Sequence, residues 1–193
     1  NSLHFSAHFQ KYAEALARRL IDGYELAGKT VLEIGCGSGD FLKSLCPDLS
    51  TRGFGFDASY PGDASANPPP NVEIRAEFFG PAHASIKPDL VCTRHVLEHI
   101  AKPGPWLTQI RSSLNPGTQV YLEVPNSLFT LRDGGIWDLI YEHCGYFSPR
   151  SVRRALSDSG FSVKSLEDSF GGQFISVFAE CGLSEDGVEE GSL

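Results

Sequence analysis

Residues 31–40 read VLEIGCGSGD, and this stretch decides the fold. The run that ends at Ile34 is short, apolar and β-branched, which predicts a strand buried in a sheet over residues 30–34. Three glycines at alternate positions follow directly and form the glycine loop, Gly35–Gly39. Glycine lets the backbone turn sharply and lets its N–H groups approach a ligand closely. The stretch therefore predicts a strand, a ligand-binding turn and a helix that begins near Phe41.

Two carboxylates accompany the glycine loop. Glu33 stands two residues before the first glycine, and Asp57 stands 18 residues after the last one, where a second strand over residues 53–56 ends. The spacing G-x-G-x-G differs from the G-x-G-x-x-G of dinucleotide sites. An acid at position 33 suits an ammonium or sulfonium group, and Asp57 can accept both hydroxyls of an unphosphorylated ribose. The alternative is a glycine-rich turn beside a solvated aspartate.

Predicted helices and strands alternate along the chain. Helices are expected over residues 7–22, 41–45, 96–100 and 106–114 and from Pro149, capped by Ser148; strands are expected over residues 72–76, 90–93, 119–124, 161–166 and 174–179. The alternation predicts an α/β fold: a Rossmann-like, mostly parallel seven-stranded sheet with helices on both faces and one antiparallel edge strand. Ligands of such sheets bind beyond the carboxyl ends of the strands.

One cofactor-binding domain is expected over residues 1–182. It includes an N-terminal helical segment at 1–28 and a less regular, aromatic-rich insert at 125–147, which we expect on the acceptor side of the site. Residues 183–193 are rich in glycine, serine and glutamate and predict a flexible tail. The chain contains no methionine, which we interpret as a domain cut from a longer protein.

Composition argues against several classes of partner. The net charge of −8 disfavours nucleic acid, because an acidic surface repels phosphates. No apolar run approaches the ~18 residues of a membrane span. The five cysteines include no C-x-x-C pair, which argues against a zinc ribbon and favours reduced thiols and a cytoplasmic location. A small-molecule partner remains as the expectation.

Residues 29–124 resemble the class I S-adenosylmethionine-dependent methyltransferases, through the glycine loop with Glu33 and Asp57 in register. The resemblance implies S-adenosylmethionine as the cofactor and S-adenosylhomocysteine as its product. It implies that the loop packs on the methionine portion, that Glu33 supports its amino end and that Asp57 holds the ribose. Glu77 and Phe78 follow directly on the third predicted strand, 72–76, and the resemblance implies that they face the adenine; the alternative for Phe78 is core packing. The residues assigned to this site are Glu33, Gly35, Cys36, Gly37, Gly39, Asp57, Ala58, Glu77, Phe78, Arg94 and His95.

The segment from His95 to His99 has the spacing H-x-x-E-H of the inverted zinc-protease motif. A zinc hydrolase needs both histidines on one helix face and a third ligand. Because the segment follows a strand inside a methyltransferase-like pattern, we expect no metal. Two interpretations remain: a histidine caps the short helix and lines the cofactor pocket, or His99 acts as a base or orients the acceptor.

The insert carries a second polar group, Tyr141-Glu142-His143. It follows the fifth strand and is therefore predicted to lie above the transferred methyl group. Histidine can accept a proton near neutral pH, and a neighbouring carboxylate can fix its tautomer. The candidate catalytic residues are His143, His99, Tyr141 and Glu142, with His143 as the favoured base. The alternative is an aromatic lid with a solvated histidine.

Residues from about 4 to 180 are similar to the C-methyltransferases of sugar biosynthesis. The similarity rests on Tyr12-Ala13-Glu14, Val96–Ile100, Glu142 through Ser148, and Gly171-Gly172. It implies methyl transfer to a carbon of a keto-sugar-like acceptor, with the histidines of the second and third segments as acid–base groups. Two features depart from that family: its motif has one more residue between the tyrosine and Glu-His, and this chain shows no counterpart of its zinc-binding cysteine domain. Transfer to oxygen or nitrogen of another metabolite, or cofactor binding without catalysis, are the alternatives.

Overall fold

The computed structural model describes residues 6–60, 62 and 68–182. The predicted tail at 183–193 and part of the segment between β2 and β3 lie outside the described residues. Within those ranges, no helix combines the length and the apolar character needed to cross a membrane.

Seven strands form one sheet in the order β3-β2-β1-β4-β5-β7-β6. Their bounds are β1 Thr30–Ile34, β2 Arg52–Phe56, β3 Val72–Arg75, β4 Leu90–Arg94, β5 Gln119–Pro125, β6 Phe161–Ser169 and β7 Phe174–Cys181. Strands β1 to β5 pair in parallel, whereas β7 runs antiparallel to both β5 and the edge strand β6. The predicted α/β class, with a mostly parallel sheet and an antiparallel element at one edge, is confirmed.

Helices cover both faces of the sheet. Their bounds are α1 Ala7–Tyr24, α2 Asp40–Leu45, α3 Pro103–Ser112, α4 Ser127–Asp133 and α5 Pro149–Ser157. Successive residues of a strand point to opposite faces. Val31 therefore packs in one core cluster with α1 and α2, and Leu32 packs in the other with α3 and α5.

The strand order reverses between β1 and β4. The chain runs outward from β1 through β2 to β3, and then returns to β4 and runs outward on the other side. Connections that leave in opposite directions open a crevice beyond the carboxyl ends of the two strands. The glycine loop follows β1 and His95 follows β4, so both meet at this crevice.

Some element boundaries differ from the sequence-based predictions. Helix α1 continues to Tyr24, and α3 begins three residues earlier than predicted, at Pro103, because proline is tolerated in the first helical turn. The insert, predicted as irregular, contains α4, which Asn126 caps through its side chain. Helix α5 ends with Asp158 as its C-terminal cap, and Gly160, with a φ of 84°, forms the turn into β6.

Candidate cofactor and acceptor site

A cavity of about 670 Å³ opens where the sheet topology predicts a ligand site. Its walls come from the ends of β1 and β4, the glycine loop, α2 and one face of α1. The lining residues are Phe9, Gln10, Ala13, Glu14, Glu33, Gly35, Cys36, Gly37, Ser38, Asp40, Phe41, Ser44, Arg94 and His95. The cavity is therefore large enough for a small organic ligand, and it brings six of the predicted cofactor residues together.

Glu33 is the buried acid of the cavity wall. Its Oε2 atom is buried and finds no hydrogen-bond partner among the described residues. Burial raises the pKa of Glu33 to about 8, although the nearby Arg94 guanidinium favours the ionised form. A buried carboxyl oxygen without a partner is costly unless a ligand supplies the missing donor. Glu33 therefore fits an ammonium group bound in the cavity.

Asp57 holds the glycine loop from the end of β2. Its Oδ2 accepts a hydrogen bond from the Gly37 backbone N–H at 2.8 Å, and its Oδ1 accepts from the backbone N–H and the hydroxyl of Ser59. Burial opposes ionisation, but these hydrogen bonds lower the pKa of Asp57. Gly37 has a φ of 53°, and a Cβ there would meet nothing within 4 Å, so the loop leaves space for a ligand. Asp57 is not among the lining residues, and its contact with a ribose stays a prediction.

A buried charge network fixes the end of β4. Oε1 of Glu123 lies 3.0 Å from both Arg94 Nη2 and His95 Nε2, and the Tyr12 hydroxyl donates to Oε2 of the same carboxylate. Burial opposes both charges, but the cations lower the pKa of Glu123 to about 2, and the carboxylates of Glu123 and Glu98 raise that of His95 to about 9. His95 has a φ of 54°, a left-handed conformation that is rare outside glycine and is often found at functional sites. The cavity wall therefore carries a protonated imidazole at neutral pH.

The residues predicted to face the adenine lie apart from the cavity lining. Phe78 is 81% exposed, whereas the next residue, Phe79, is buried in the core. Oε1 of Glu77 lies 3.3 Å from Nε2 of His83, and Ala58 is exposed in the turn after β2. Contact of Ala58, Glu77 and Phe78 with the cofactor stays a prediction.

The structure brings together the two histidines predicted as acid–base groups. The rings of His99 and His143 lie 4.9 Å apart, and we call them the histidine pair. Nδ1 of His99 lies 2.9 Å from the carbonyl oxygen of Glu142. The side chains of Tyr141 and Glu142 are exposed. Glu142 thus contacts the pair through its backbone, and the catalytic roles of all four residues stay predictions.

Sequence reasoning missed part of the site. The helical period predicted α1, but a pattern does not say whether a helix face meets the core or a cavity. The lining residues overlooked on α1 are Phe9, Gln10, Ala13 and Glu14. Glu123 was also overlooked, although an acid inside the apolar run of a buried strand is unusual and is itself a signal.

Comparison with known proteins assigns the chain to a family. A family model described as a methyltransferase domain matches residues 5–166. The ubiquinone biosynthesis O-methyltransferase of Paraburkholderia phytofirmans is 33% identical over 132 residues, which cover 63% of this chain and 56% of that protein. A "probable S-adenosylmethionine-dependent methyltransferase" of Mycolicibacterium smegmatis is 30% identical over 186 residues, which cover 93% of this chain and 66% of that protein. The chain thus spans less than two thirds of the length of both relatives.

Solved structures share the fold at low sequence identity. The CurJ carbon methyltransferase superposes with a TM-score of 0.67 at 17% identity, over 92% of this chain and 56% of that one. Magnesium protoporphyrin IX methyltransferase from Synechocystis, solved with bound S-adenosylhomocysteine, superposes with a TM-score of 0.65 at 19% identity, over 90% of this chain and 83% of that one. The match of the family model to most of the chain, on a fold with this cavity, shows that the chain belongs to the class I S-adenosylmethionine-dependent methyltransferases.

Proposed function

We propose that this chain transfers the methyl group of S-adenosylmethionine to a small-molecule acceptor that binds beside the histidine pair. One observation carries the proposal: a side-chain contact joins a residue of the cofactor cavity to the chain neighbour of His99. His95 lines the cavity, and its Nδ1 lies 3.6 Å from Oε1 of Glu98, the residue next to His99. A methyl donor in the cavity and an acceptor at the pair would therefore be neighbours at one edge of the sheet.

The cavity residues hold the cofactor and do not react with it. The unpartnered oxygen of Glu33 would receive the amino group, and the open face at Gly37 would receive the methionine portion. When bound, S-adenosylmethionine supplies a methyl group on a positively charged sulfur. Burial, aided by the charge of Glu33, raises the pKa of Cys36 to about 12, so this thiol stays neutral and serves as a packing surface. Catalysis would then depend on aligning the acceptor with the methyl group and removing its proton.

His143 is the proposed general base. Its ring packs against His99 and lies 6.3 Å from that of Tyr146, on the insert segment that we expect over the acceptor. An imidazole can take a proton from a hydroxyl, or from a carbon beside a carbonyl, as the new bond to the methyl group forms. His99 would orient the acceptor from the opposite side of the pair.

Two acceptor chemistries fit this arrangement. The similarity to sugar C-methyltransferases favours a keto-sugar-like acceptor, whose enolate oxygen His99 or Tyr141 would stabilise. The similarity to an O-methyltransferase over 132 residues favours a hydroxyl acceptor, which needs a weaker base. Mass spectrometry of the product, which locates the new methyl group, distinguishes them. Cofactor binding with no turnover on keto sugars, phenols and sugar alcohols would instead favour a non-catalytic domain.

The variant His143→Ala tests whether the cavity binds the cofactor while the insert supplies the catalytic base. We expect S-adenosylmethionine affinity close to that of the wild type and methyl transfer slowed by about 10²–10⁴-fold, the usual contribution of a general base. His8→Ala, which removes an exposed histidine of α1, serves as the control and should keep the full rate. A full single-turnover rate in both His143→Ala and His99→Ala would contradict acid–base chemistry by the pair.

A further inference from the structure

Glu98, His99 and His143 bring three potential metal ligands together beside the cofactor cavity. Glu98 and His99 lie on the 3₁₀ turn directly after β4, and His143 lies in the insert. One ligand atom of each residue lies within 4.8 Å of the other two. The backbone N–H groups of Cys144 and Gly145 donate to the Glu98 carbonyl oxygen at 2.7 and 2.9 Å, so the insert is fixed to the turn at this point. The cluster is therefore built by the fold and not by one flexible loop.

The carboxylate of Glu98 is buried, and only one of its two oxygens has a polar neighbour within the described part of the chain. Glu98 is 1% exposed, and its Oε1 lies 3.6 Å from Nδ1 of His95. Its Oε2 is buried and has no hydrogen-bond partner among the described residues. Burying a carboxylate oxygen without a donor is costly, and a bound cation would offset that cost. The unpartnered oxygen is thus a second reason, separate from the spacing of the three side chains, to expect a ligand beside Glu98.

His99 is oriented as metal-bound histidines usually are. Its Nδ1 lies 2.9 Å from the carbonyl oxygen of Glu142, which can only accept, so Nδ1 carries the hydrogen. The neutral ring then presents the lone pair of Nε2. A histidine that ligates a metal almost always donates its other N–H to a carbonyl or carboxylate in this way. The bond to Glu142 would therefore set both the tautomer and the direction of the ring.

The spacing of the cluster is close to that of a loaded site. Zinc binds imidazole nitrogen at about 2.0–2.1 Å in a tetrahedron, which places neighbouring ligand atoms about 3.3 Å apart. The ligand atoms here lie within 4.8 Å. His99 would keep its bond to Glu142, and the side chain of His143, which is partly exposed, would move by the remaining distance. Glu98, which is buried, would be the fixed member of the set.

We propose that Glu98, His99 and His143 form a binding site for one divalent cation of the zinc type. Two imidazoles and one carboxylate are a common donor set of catalytic zinc sites, which keep a further position open for water or substrate. Resting on the proposed function, that position would take an oxygen atom of the acceptor. This proposal replaces the expectation of no metal drawn from the sequence.

The cation would change the role of His143. A ring nitrogen bound to a cation has no lone pair left for a proton, so in the metal-loaded protein His143 is a ligand and not the general base. The cation itself would then lower the pKa of a bound acceptor hydroxyl, and the proton would pass to solvent instead of to His143. The two roles of His143 are exclusive, so the general-base role proposed above applies to the protein without a bound cation. Metal binding is measurable without knowing the acceptor.

Titration with Co²⁺ tests the site directly. Visible absorption of Co²⁺ reports its coordination, and Zn²⁺ added afterwards competes for the same ligands. For the full chain without an affinity tag, we expect one Co²⁺ per chain, displaced by one equivalent of Zn²⁺. Absence of saturable Co²⁺ binding would overturn the proposal.

Four variants identify the ligands. Removing a residue that hydrogen-bonds to a metal ligand weakens metal binding by about 10–100-fold. Removing a ligand itself should therefore lower the Co²⁺ affinity by at least that factor in Glu98→Gln, His99→Ala and His143→Ala. Glu98 is buried, so Glu98→Gln could fail to fold. His99 is exposed and His143 is partly exposed, so the variants at these two residues test the site in that case. Cys144→Ser removes the neighbouring exposed thiol and should leave Co²⁺ affinity unchanged. Unchanged affinity in the histidine variants, or loss in Cys144→Ser, would contradict the proposed ligand set.

A parallel titration separates this inference from the proposed function. S-adenosylhomocysteine should bind the same samples with and without Co²⁺, since the cavity ligands differ from the cation ligands. Failure to bind S-adenosylhomocysteine while Co²⁺ binds would reject the proposed function and keep the cation site. The reverse result would reject the cation site alone.

Discussion

The carboxyl group of Glu33 decides how the cavity recognises charge. It is buried, its pKa is raised to about 8, and one of its oxygens lacks a donor. Below pH 8 the free protein therefore mostly carries a neutral acid there. An ammonium group of a ligand would favour the carboxylate, because opposite charges in a poorly solvated site attract strongly. Ligand binding and proton release should accordingly be linked.

At pH 6.5, binding of S-adenosylmethionine should release close to one proton from Glu33, and affinity should rise with pH towards 8. Calorimetry in two buffers of different ionisation enthalpy measures the released proton. Glu33→Gln, which has no proton to lose, should abolish the release and weaken binding. Glu14→Gln removes an exposed acid of the cavity rim and serves as the control. Equal release by wild type and Glu33→Gln would show that another group responds to the ligand.

Asp57→Ala should weaken S-adenosylmethionine binding. Each lost charge-assisted hydrogen bond to the ribose costs about 1.5–3 kcal/mol, and the Gly37 N–H also loses its partner. Asp48→Ala is a matched control, because Asp48 accepts from the backbone and hydroxyl of Ser50 just as Asp57 does from Ser59. We expect normal affinity in Asp48→Ala. Equal S-adenosylmethionine affinity in Asp57→Ala and Asp48→Ala would show that Asp57 stabilises only the local turn and does not contact the cofactor.

At the scale of elements, the glycine loop and the turn after β4 are packed so closely that they form one unit. A Cβ added to Gly35 would lie 2.2 Å from Cγ2 of Val96, and Gly35 has a φ of 75°. The contact joins the loop that would hold the cofactor to the turn that carries Glu98 and His99. Movement of one element should therefore disturb the other.

Gly35→Ala and Gly28→Ala separate two losses of stability: the loss from the clash with Val96 and the loss from the left-handed backbone conformation. Gly28 has a φ of 78° but nothing within 4 Å of an added Cβ, so it reports the left-handed conformation alone. That conformation costs about 1–2 kcal/mol, and each kcal/mol lowers Tm by about 2–4 °C in a chain of this size. Gly35→Ala should lower Tm further and also weaken S-adenosylhomocysteine binding. Equal Tm values and equal affinities would show that the loop and the turn are not coupled.

Local patterns predicted most of these elements but not their contacts. The apolar run before Gly35 and the alternation of helices and strands were sufficient for the sheet, because hydrophobic period and turn residues act over a few positions. Helix α4 in the insert was not predicted, because its seven residues are too few for a clear helical period. Glu98 and His143 are 45 positions apart in the sequence, so only the folded chain shows that they meet.

At the scale of the whole molecule, the sheet separates two tasks along one edge. The carboxyl ends of β1 and β4 carry the cavity that fits the cofactor, and the insert after β5 carries the histidine pair. The sequence predicted this edge from topology, since parallel strands present their carboxyl ends together. It did not predict the charge network around Glu123, which depends on α1, β4 and β5 packing against one another.

The central claim is that the cavity at this edge binds S-adenosylmethionine and not a nicotinamide dinucleotide. Isothermal titration of the wild-type chain with S-adenosylhomocysteine and, separately, with NAD⁺ tests it most directly. Glu33 at the glycine loop, the G-x-G-x-G spacing and Asp57 predict one equivalent of S-adenosylhomocysteine bound per chain and no binding of NAD⁺. Saturable binding of NAD⁺ without binding of S-adenosylhomocysteine would contradict the account.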